Sequence, residues 1–254
     1  MSRLSFAIAI LIFALFPTLG YASSQLKIFT EEFPPYNFTQ NDELVGINTE
    51  IVKELCTVAG ISCSIELLPW TRAYNLARQT KNTAVFSTSR NPEREKLFHW
   101  IGPLASSKTN FYRLKKRHDI KIRKESDLLS YTIGIARSDV YHDVLVDLGF
   151  KPEENLLMFS RKHDDMHVFF NGKLDLIIGS ELTLPYQLTS VGFEPNEVIP
   201  VYTLKHAFIR GNYLALNRDT DSDIKSKLNT AFIKLKKRDF IEQVIDKYRD
   251  LAPR

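Results

Sequence analysis

The feature that most restricts the fold of this chain is the alternation of short apolar runs with amphipathic segments between residues 26 and 86. Leu26-Lys27-Ile28-Phe29-Thr30 alternates and reads as a first strand. Ile47, Ile51, Val52, Leu55 and Cys56 then share one face at helical spacing. Asn48 offers a cap to that helix, and Gly60 ends it after Ala59. Residues 61–68 read as a second strand, and Pro69-Trp70-Thr71-Arg72-Ala73-Tyr74 opens another helix. The run at 83–86 completes a β-α-β-α-β unit, for which a parallel sheet is expected. The pattern returns with strands at 131–136, 156–159 and 174–178 and helices at about 140–148 and 164–171, with another through Tyr186. Strands at 201–203 and 212–216 follow, then helices at 222–236 and 238–248.

Ahead of this pattern, Arg3 precedes an almost wholly apolar run at residues 4–16. Pro17 and Gly20 break it, and Gly20-Tyr21-Ala22 presents small residues at both specificity positions of a cleavage site. A signal peptide over residues 1–22 is expected, its core too short to span a bilayer; the alternative is an uncleaved anchor. Export would place the mature chain in the periplasm of a Gram-negative cell. No cysteine lies near the cleavage point, so a lipid-modified terminus is not expected. The remaining residues, about 230, can form one large or two smaller α/β units. Removing Arg3 lowers the net charge from +4 to +3. The basic run at 113–123 lacks interleaved stacking aromatics, so nucleic acid is not an expected partner.

Only two cysteines occur, Cys56 and Cys63. An oxidising compartment favours their pairing across the Gly60 turn, the alternative being two buried free thiols. Two cysteines with no nearby histidine do not make a zinc site, so no metal is expected, and nothing in the chain calls for a cofactor.

Ser87-Thr88-Ser89-Arg90-Asn91-Pro92-Glu93-Arg94 carries the clearest chemistry. Asn91-Pro92 reads as a helix start, with the helix running to Phe98. Three hydroxyls, two guanidinium forks and a helix N-terminus would then converge at the end of a strand, and each favours an anion. The competing reading is a solvated loop in which Arg94 pairs with a surface acid. Trp70 and Arg72 also follow a strand end, where open α/β sheets bind ligands. Phe33-Pro34-Pro35-Tyr36-Asn37-Phe38 is a stiff aromatic loop, a candidate ligand wall or simple packing under the loop. Arg137-Ser138-Asp139 and Gly179-Ser180-Glu181 place polar residues at later strand ends.

Taken in order, Phe33 to Phe38, Leu44-Val45-Gly46-Ile47, Pro69-Trp70, Ser89 to Arg94 with Phe98 and Pro103, and Asn171-Gly172-Lys173-Leu174-Asp175 resemble the periplasmic solute-binding proteins of family 3, which serve polar amino acid ABC importers. The resemblance covers the whole mature chain. It implies an α/β two-lobed clamshell (periplasmic binding protein-like II), each lobe a mostly parallel sheet flanked by helices and joined to the other by two hinge strands. Residues 23–110 plus 207–254 would form the first lobe and residues 111–206 the second. Arg94 takes the position of the Arg that grips a ligand carboxylate, with Ser89 beside it. Phe33 falls at an aromatic wall, Arg72 near another pocket position, and Arg137 and Ser138 at the second-lobe turn completing the carboxylate site. The acid that would meet a ligand ammonium lands on Ser180, which cannot neutralise one; neighbouring Glu181 can if it turns inward. The Gly-x-x-Asp motif before Ser87 is replaced by Lys81-Asn82-Thr83-Ala84.

The resemblance implies a monomeric capture protein for a small solute, an amino acid or related anion. It would be sandwiched by Phe33, Tyr36 or Trp70, with an inner-membrane ABC permease as partner. Two alternatives use the same scaffold. One is a dehydratase-like enzyme, whose acid or base would have to come from Glu181, Asp139, Glu31, Glu32 or a histidine. The other is a sensor protein that presents its solute to a membrane receptor. No Gly-x-Ser-x-Gly elbow or His-Glu-x-x-His helix is present, so catalysis is not expected.

Overall fold

The computed structural model describes residues 25–137, 139, 141–161, 163–205 and 211–253. The expected leader and Ser138 lie outside the described residues. Before the chain first crosses to a second sheet come β1 (Gln25–Thr30), β2 (Phe38–Gln40), β3 (Glu43–Val45), α1 (Ile47–Ala59), β4 (Ser62–Leu67), α2 (Trp70–Gln79), β5 (Thr83–Ser89) and β6 (Phe98–Ala105). The middle of the chain supplies β7 (Thr109–Leu114), β8 (Ile133–Ala136), α3 (His142–Asp147), β9 (Leu156–Phe159), α4 (Asp164–Phe170), β10 (Ile177–Ser180), α5 (Leu184–Ser190) and β11 (Val198–Thr203). The chain then returns through β12 (Asn212–Asn217), α6 (Ser222–Lys237) and α7 (Phe240–Asp250).

The first sheet has the order β4-β1-β5-β12-β6. Successive side chains of a strand point to opposite faces, and the two faces are covered differently. Ile28, Ala84, Phe86, Leu214 and Leu216 meet Ile51 and Leu55 of α1, Leu228 and Leu235 of α6 and Val244 of α7. Phe29, Val85 and Ala215 face Ala73 and Ala77 of α2. Strand β5, covered on both sides, therefore reads as a continuous apolar run. Phe86 is fully buried, and truncating such a ring costs about 3–5 kcal/mol.

The two halves of this sheet differ. Strands β4, β1 and β5 are parallel, whereas β12 runs antiparallel to both β5 and β6. The second sheet departs further from the mostly parallel expectation. Order β10-β7-β11 is antiparallel throughout, and the parallel pair β8-β9 joins it through the single bridge Ile133↔Leu176. The reason is connectivity: β12 returns to the first sheet from the second, and β7 enters the second sheet from the first, so neither is reached through a same-sheet crossover helix. Strand β7 belongs to the second sheet; the chain crosses at residues 106–108 and again between β11 and β12.

Helix α1 begins at Gly46 rather than at an Asn48 cap. Gly46 has φ 120°, and a Cβ there would lie 2.5 Å from the Tyr36 carbonyl oxygen. The aromatic loop can therefore sit on the helix end. Ile47 N–H donates to Pro35 O at 2.9 Å and Asn48 N–H to Tyr36 O at 2.9 Å. Tyr248 of α7 completes this corner, its hydroxyl donating to Glu50 Oε1 at 2.6 Å and accepting Gly46 N–H at 2.8 Å. Cys56 and Cys63 form a disulfide, with Cα atoms 6.2 Å apart, between the last turn of α1 and β4.

Candidate functional site

Ser89, Asn212 and Ala105 share one rung of the first sheet, so β5 ends where β12 begins and β6 ends. From this rim leave both the 90–97 turn and the first crossing to the second sheet. The helix expected over 92–98 does not form. Arg94 N–H meets the Asn91 carbonyl at 3.1 Å and its side-chain oxygen at 3.0 Å, a single capped turn. Leu97 closes another turn on Arg94, and Phe98 already pairs with Asn217 in β6. Burial of Phe98 beneath α2 draws it into the strand and leaves too few residues for a helix. The expected helix N-terminus is thus not one of the anion-favouring groups.

Arg94 itself is distinctive. Its guanidinium carbon lies 5.6 Å from the Trp70 ring and 5.2 Å from the Tyr74 ring, and Nη1 reaches the Ser89 carbonyl at 3.4 Å. Trp70 and Tyr74 lie one turn apart on α2 with ring centroids 5.7 Å apart. Among the described residues no carboxylate pairs with Arg94. Ring faces attract a cation without neutralising it, so the fork is oriented and keeps its charge. Tyr74 was not singled out from sequence; its spacing of four from Trp70 was the available signal.

Arg90, expected beside it, is already engaged. It grips both carboxylate oxygens of Glu95 at 2.7 and 2.6 Å and lies over Trp100 and Tyr213. That pairing pushes the Arg90 pKa up and holds the Glu95 carboxyl below its ordinary range. Arg72 is exposed on the first turn of α2, and its side chain makes no hydrogen bond or ion pair with another described residue.

The Ser87 hydroxyl is engaged within the first lobe. The residue has φ 60°, donates its hydroxyl proton to Asn37 Oδ1, and accepts Asn48 Nδ2–H at 2.9 Å. Asn37 in turn donates to the Glu31 carbonyl at 2.5 Å. This buried chain ties the aromatic loop to β5 and α1, and it explains why Asn48 does not cap its own helix. Phe33 is half-buried, with its ring 5.3 Å from Tyr36. Tyr36 is 5% exposed and packs with the first core.

From the second sheet, Ser180 ends β10. Its hydroxyl donates to Ser107 Oγ at 2.7 Å and accepts Leu182 N–H at 3.2 Å. Glu181 is half-buried, and its N–H donates to the Lys108 carbonyl at 2.9 Å. Burial chiefly, with a smaller contribution from the Glu181 charge, holds the Tyr36 and Tyr112 phenols above their ordinary pKa. No basic side chain pairs with Glu181 among the described residues. Asp139 accepts Tyr141 N–H at 2.9 Å. Tyr141 is pushed up to about 12 by burial, and its hydroxyl lies 3.4 Å from Thr109 Oγ1. Asp165 on α4 is pushed up to about 6, chiefly by burial and then by Asp139. Arg137 is exposed, and it borders an open depression of about 470 Å³ with Pro152, Leu157 and Phe159 along β9. Among the described residues no group of His, Cys, Asp and Glu could hold a metal ion, and no helix is long and apolar enough to cross a membrane.

A sequence profile of the bacterial extracellular solute-binding proteins, family 3, matches residues 26–250. The chain belongs to this family. No curated protein matches the sequence of this solute-binding protein, but its fold recurs among solved structures. The L-cystine solute receptor of Neisseria gonorrhoeae, unliganded and open, superposes with a TM-score of 0.70 at 16% identity, covering 90% of this chain and 94% of that one. The second substrate-binding domain of a putative amino acid ABC transporter from Streptococcus pneumoniae gives 0.68 at 17% identity, covering 88% and 99%. A histidine kinase sensor domain similar to periplasmic binding proteins gives 0.66 at 16%, covering 89% and 96%. The architecture of this solute-binding protein is accordingly the two-lobed α/β clamshell, built from mixed rather than mostly parallel sheets.

Proposed function

We propose that this protein captures a small carboxylate-bearing solute, an amino acid or related anion, between its two lobes and hands it to an ABC permease of the inner membrane after export to the periplasm. Arg94 takes the carboxylate, with Ser89 beside it, Phe33 and Trp70 flank the solute, and Glu181 receives a cationic group on it. The lobes divide at the two crossings, so that Thr109 and Asn110 of β7 go with the second lobe and not, as expected from the sequence, with residues 23–110 and 207–254 of the first. The observation that carries the reading is the seating of the Arg94 guanidinium on Trp70 and Tyr74 with no acid paired to it among the described residues. An oriented, unpaired fork at a strand end binds a carboxylate through two charge-assisted hydrogen bonds. Arg90 and Ser87 drop out of the contact set, because Glu95 and Asn37 occupy them.

The partner is open to one specific second reading. Similarity to a histidine kinase sensor domain favours presentation of the solute to a receptor. A thermal-shift screen of amino acids, dicarboxylates and small phosphates tests the main reading, since a ligand that binds only the native state raises its melting temperature. The expected hits carry a carboxylate and lose their shift in Arg94→Ala. Hits that keep their full shift in that variant remove Arg94 from the site.

A further inference from the structure

The chain has two tryptophans, and each meets one arginine of the β5 rim: Trp70 meets Arg94, and Trp100 meets Arg90. The two seats belong to one run of rings. Trp70, Tyr74, Phe98, Trp100 and Tyr213 follow one another from α2 to β12, with centroids 5.7, 5.4, 5.6 and 5.9 Å apart. Phe98 and Trp100 stand two residues apart on β6 and so share the face that α2 covers. The 90–97 turn is held against this run through both of its arginines.

Trp100 does more than seat Arg90. Its Nε1–H donates to the Glu95 carbonyl at 3.2 Å. The Glu95 N–H donates to the Asn91 carbonyl at 3.0 Å, so the peptide groups on both sides of Glu95 have fixed partners. The Glu95 carboxylate clasps Arg90, which closes a bracket of residues 90, 95 and 100. Arg94 stands next to this bracket. Its own fork is held less firmly: Nη1 reaches the Ser89 carbonyl at 3.4 Å, and the rings attract the cation without a directed bond. Where the fork points therefore depends on where the backbone at 94–95 is held.

We propose that Trp100 is a positioning residue for Arg94, acting through the Glu95 carbonyl. The indole fixes the backbone from which Arg94 projects, and Trp70 and Tyr74 receive the fork so placed. The use made of the fork rests on the solute-capture reading; its placement does not, and it is measured without a ligand. The competing role for Trp100 is packing beneath α2 alone. Packing is felt whether or not Arg94 is present, and this separates the two.

The experiment is proton–nitrogen correlation NMR of the tryptophan indoles in the ligand-free protein. The Trp70 signal reports the Arg94 seat, and its position in Arg94→Ala marks the empty seat. Trp100→Phe keeps a ring beside Arg90 and Phe98, removes the donor, and leaves Trp70 as the only indole. It is expected to move the Trp70 signal most of the way to its Arg94→Ala position. The Arg94 and Glu95 amides should exchange roughly 2- to 10-fold faster, the loss of one net hydrogen bond, while amides at 84–86 on β5 keep their wild-type rate. Trp100→Phe combined with Arg94→Ala should move the Trp70 signal no further than Arg94→Ala alone. An unmoved Trp70 signal in Trp100→Phe overturns the proposal. So does a double variant in which the two shifts add, because that marks packing independent of Arg94. One measurement needs no variant to fold: the wild-type Trp100 indole N–H should be protected from exchange, and exchange at the rate of free indole overturns the proposal as well. A failed ligand screen beside a positive NMR result would sink the solute reading and leave the positioning role standing.

Discussion

The two sheets differ in which residues follow their strands, though neither rim carries one sign of charge. In the first, β1 is followed by Glu31 and Glu32, β4 by Arg72 and β5 by Arg90 and Arg94; in the second, β8 is followed by Arg137 and Asp139, β9 by Arg161 and Asp165, and β10 by Glu181. The first rim also handles its two central cations in opposite ways. Arg90 and Arg94 both lie over pairs of aromatic rings, but among the described residues only Arg90 is paired with an acid. Aromatic seating alone therefore leaves a guanidinium oriented and charged, and aromatic seating plus a bidentate carboxylate makes it a strut. Residue type and location are the same for both; the partner decides the role.

The largest expected effect tests that contrast. Arg94→Ala should weaken binding of a carboxylate solute by at least ~30-fold, about 2 kcal/mol or more, whereas Arg90→Ala should change it less than about threefold. Equal losses by calorimetry would break the distinction. Glu181→Gln probes the opposite rim. For a solute with a cationic group it should lower affinity by roughly tenfold, and for a simple carboxylate it should not, the difference reflecting one hydrogen bond to a charged group. A matching loss for both solutes would make Glu181 a structural acid.

Asp165 sharpens the comparison through pH. Its folded pKa of about 6 lies above the ordinary 3.8. The native state therefore holds the proton more tightly, and this group's contribution to stability falls as pH rises from about 4 to about 6. Asp165→Asn should remove that slope, gaining about 1 kcal/mol at pH 7.5 and nothing at pH 4 in denaturant unfolding. An unchanged slope would mean that the carboxyl is hydrated. Smallest of all, Glu95→Gln should leave the denaturation midpoint nearly unchanged, as expected for an exposed pair. A larger loss would show that the Arg90 strut holds the 90–97 turn in place.

The first half of the fold was legible because its signals are local. Strand β1, helix α1 and the Gly60 stop follow from side-chain period and one φ-permissive residue, and the 3.6-residue spacing of Ile47, Ile51 and Leu55 marks a buried face whatever lies opposite. The Arg94 stretch was visible for the same reason, as a cluster of anion-favouring groups within eight residues. Its inner arrangement was not. Asn91-Pro92 carries a helix-start signal, but the burial of Phe98 and its pairing with Asn217, more than a hundred residues away, outweigh a local propensity of at most about 1 kcal/mol. Ser87, Arg90 and Ser180 looked available because Asn37, Glu95 and Ser107 could not be assigned to them without the tertiary contacts.

From residues alone came the α/β alternation, the pairing of the two cysteines as one of two outcomes, the resemblance to a two-lobed binding protein, and Arg94 as the cation to examine. Each depends on groups close together in the chain or on a pattern repeated along it. Only the assembled structure decided which strands run antiparallel, that Tyr36 is buried, which guanidinium has no acid paired to it among the described residues, and that Leu182 packs in the core of the opposite lobe. Those outcomes turn on which surfaces meet when distant segments are buried together, and a polar side chain's role is set by the partner that burial brings to it.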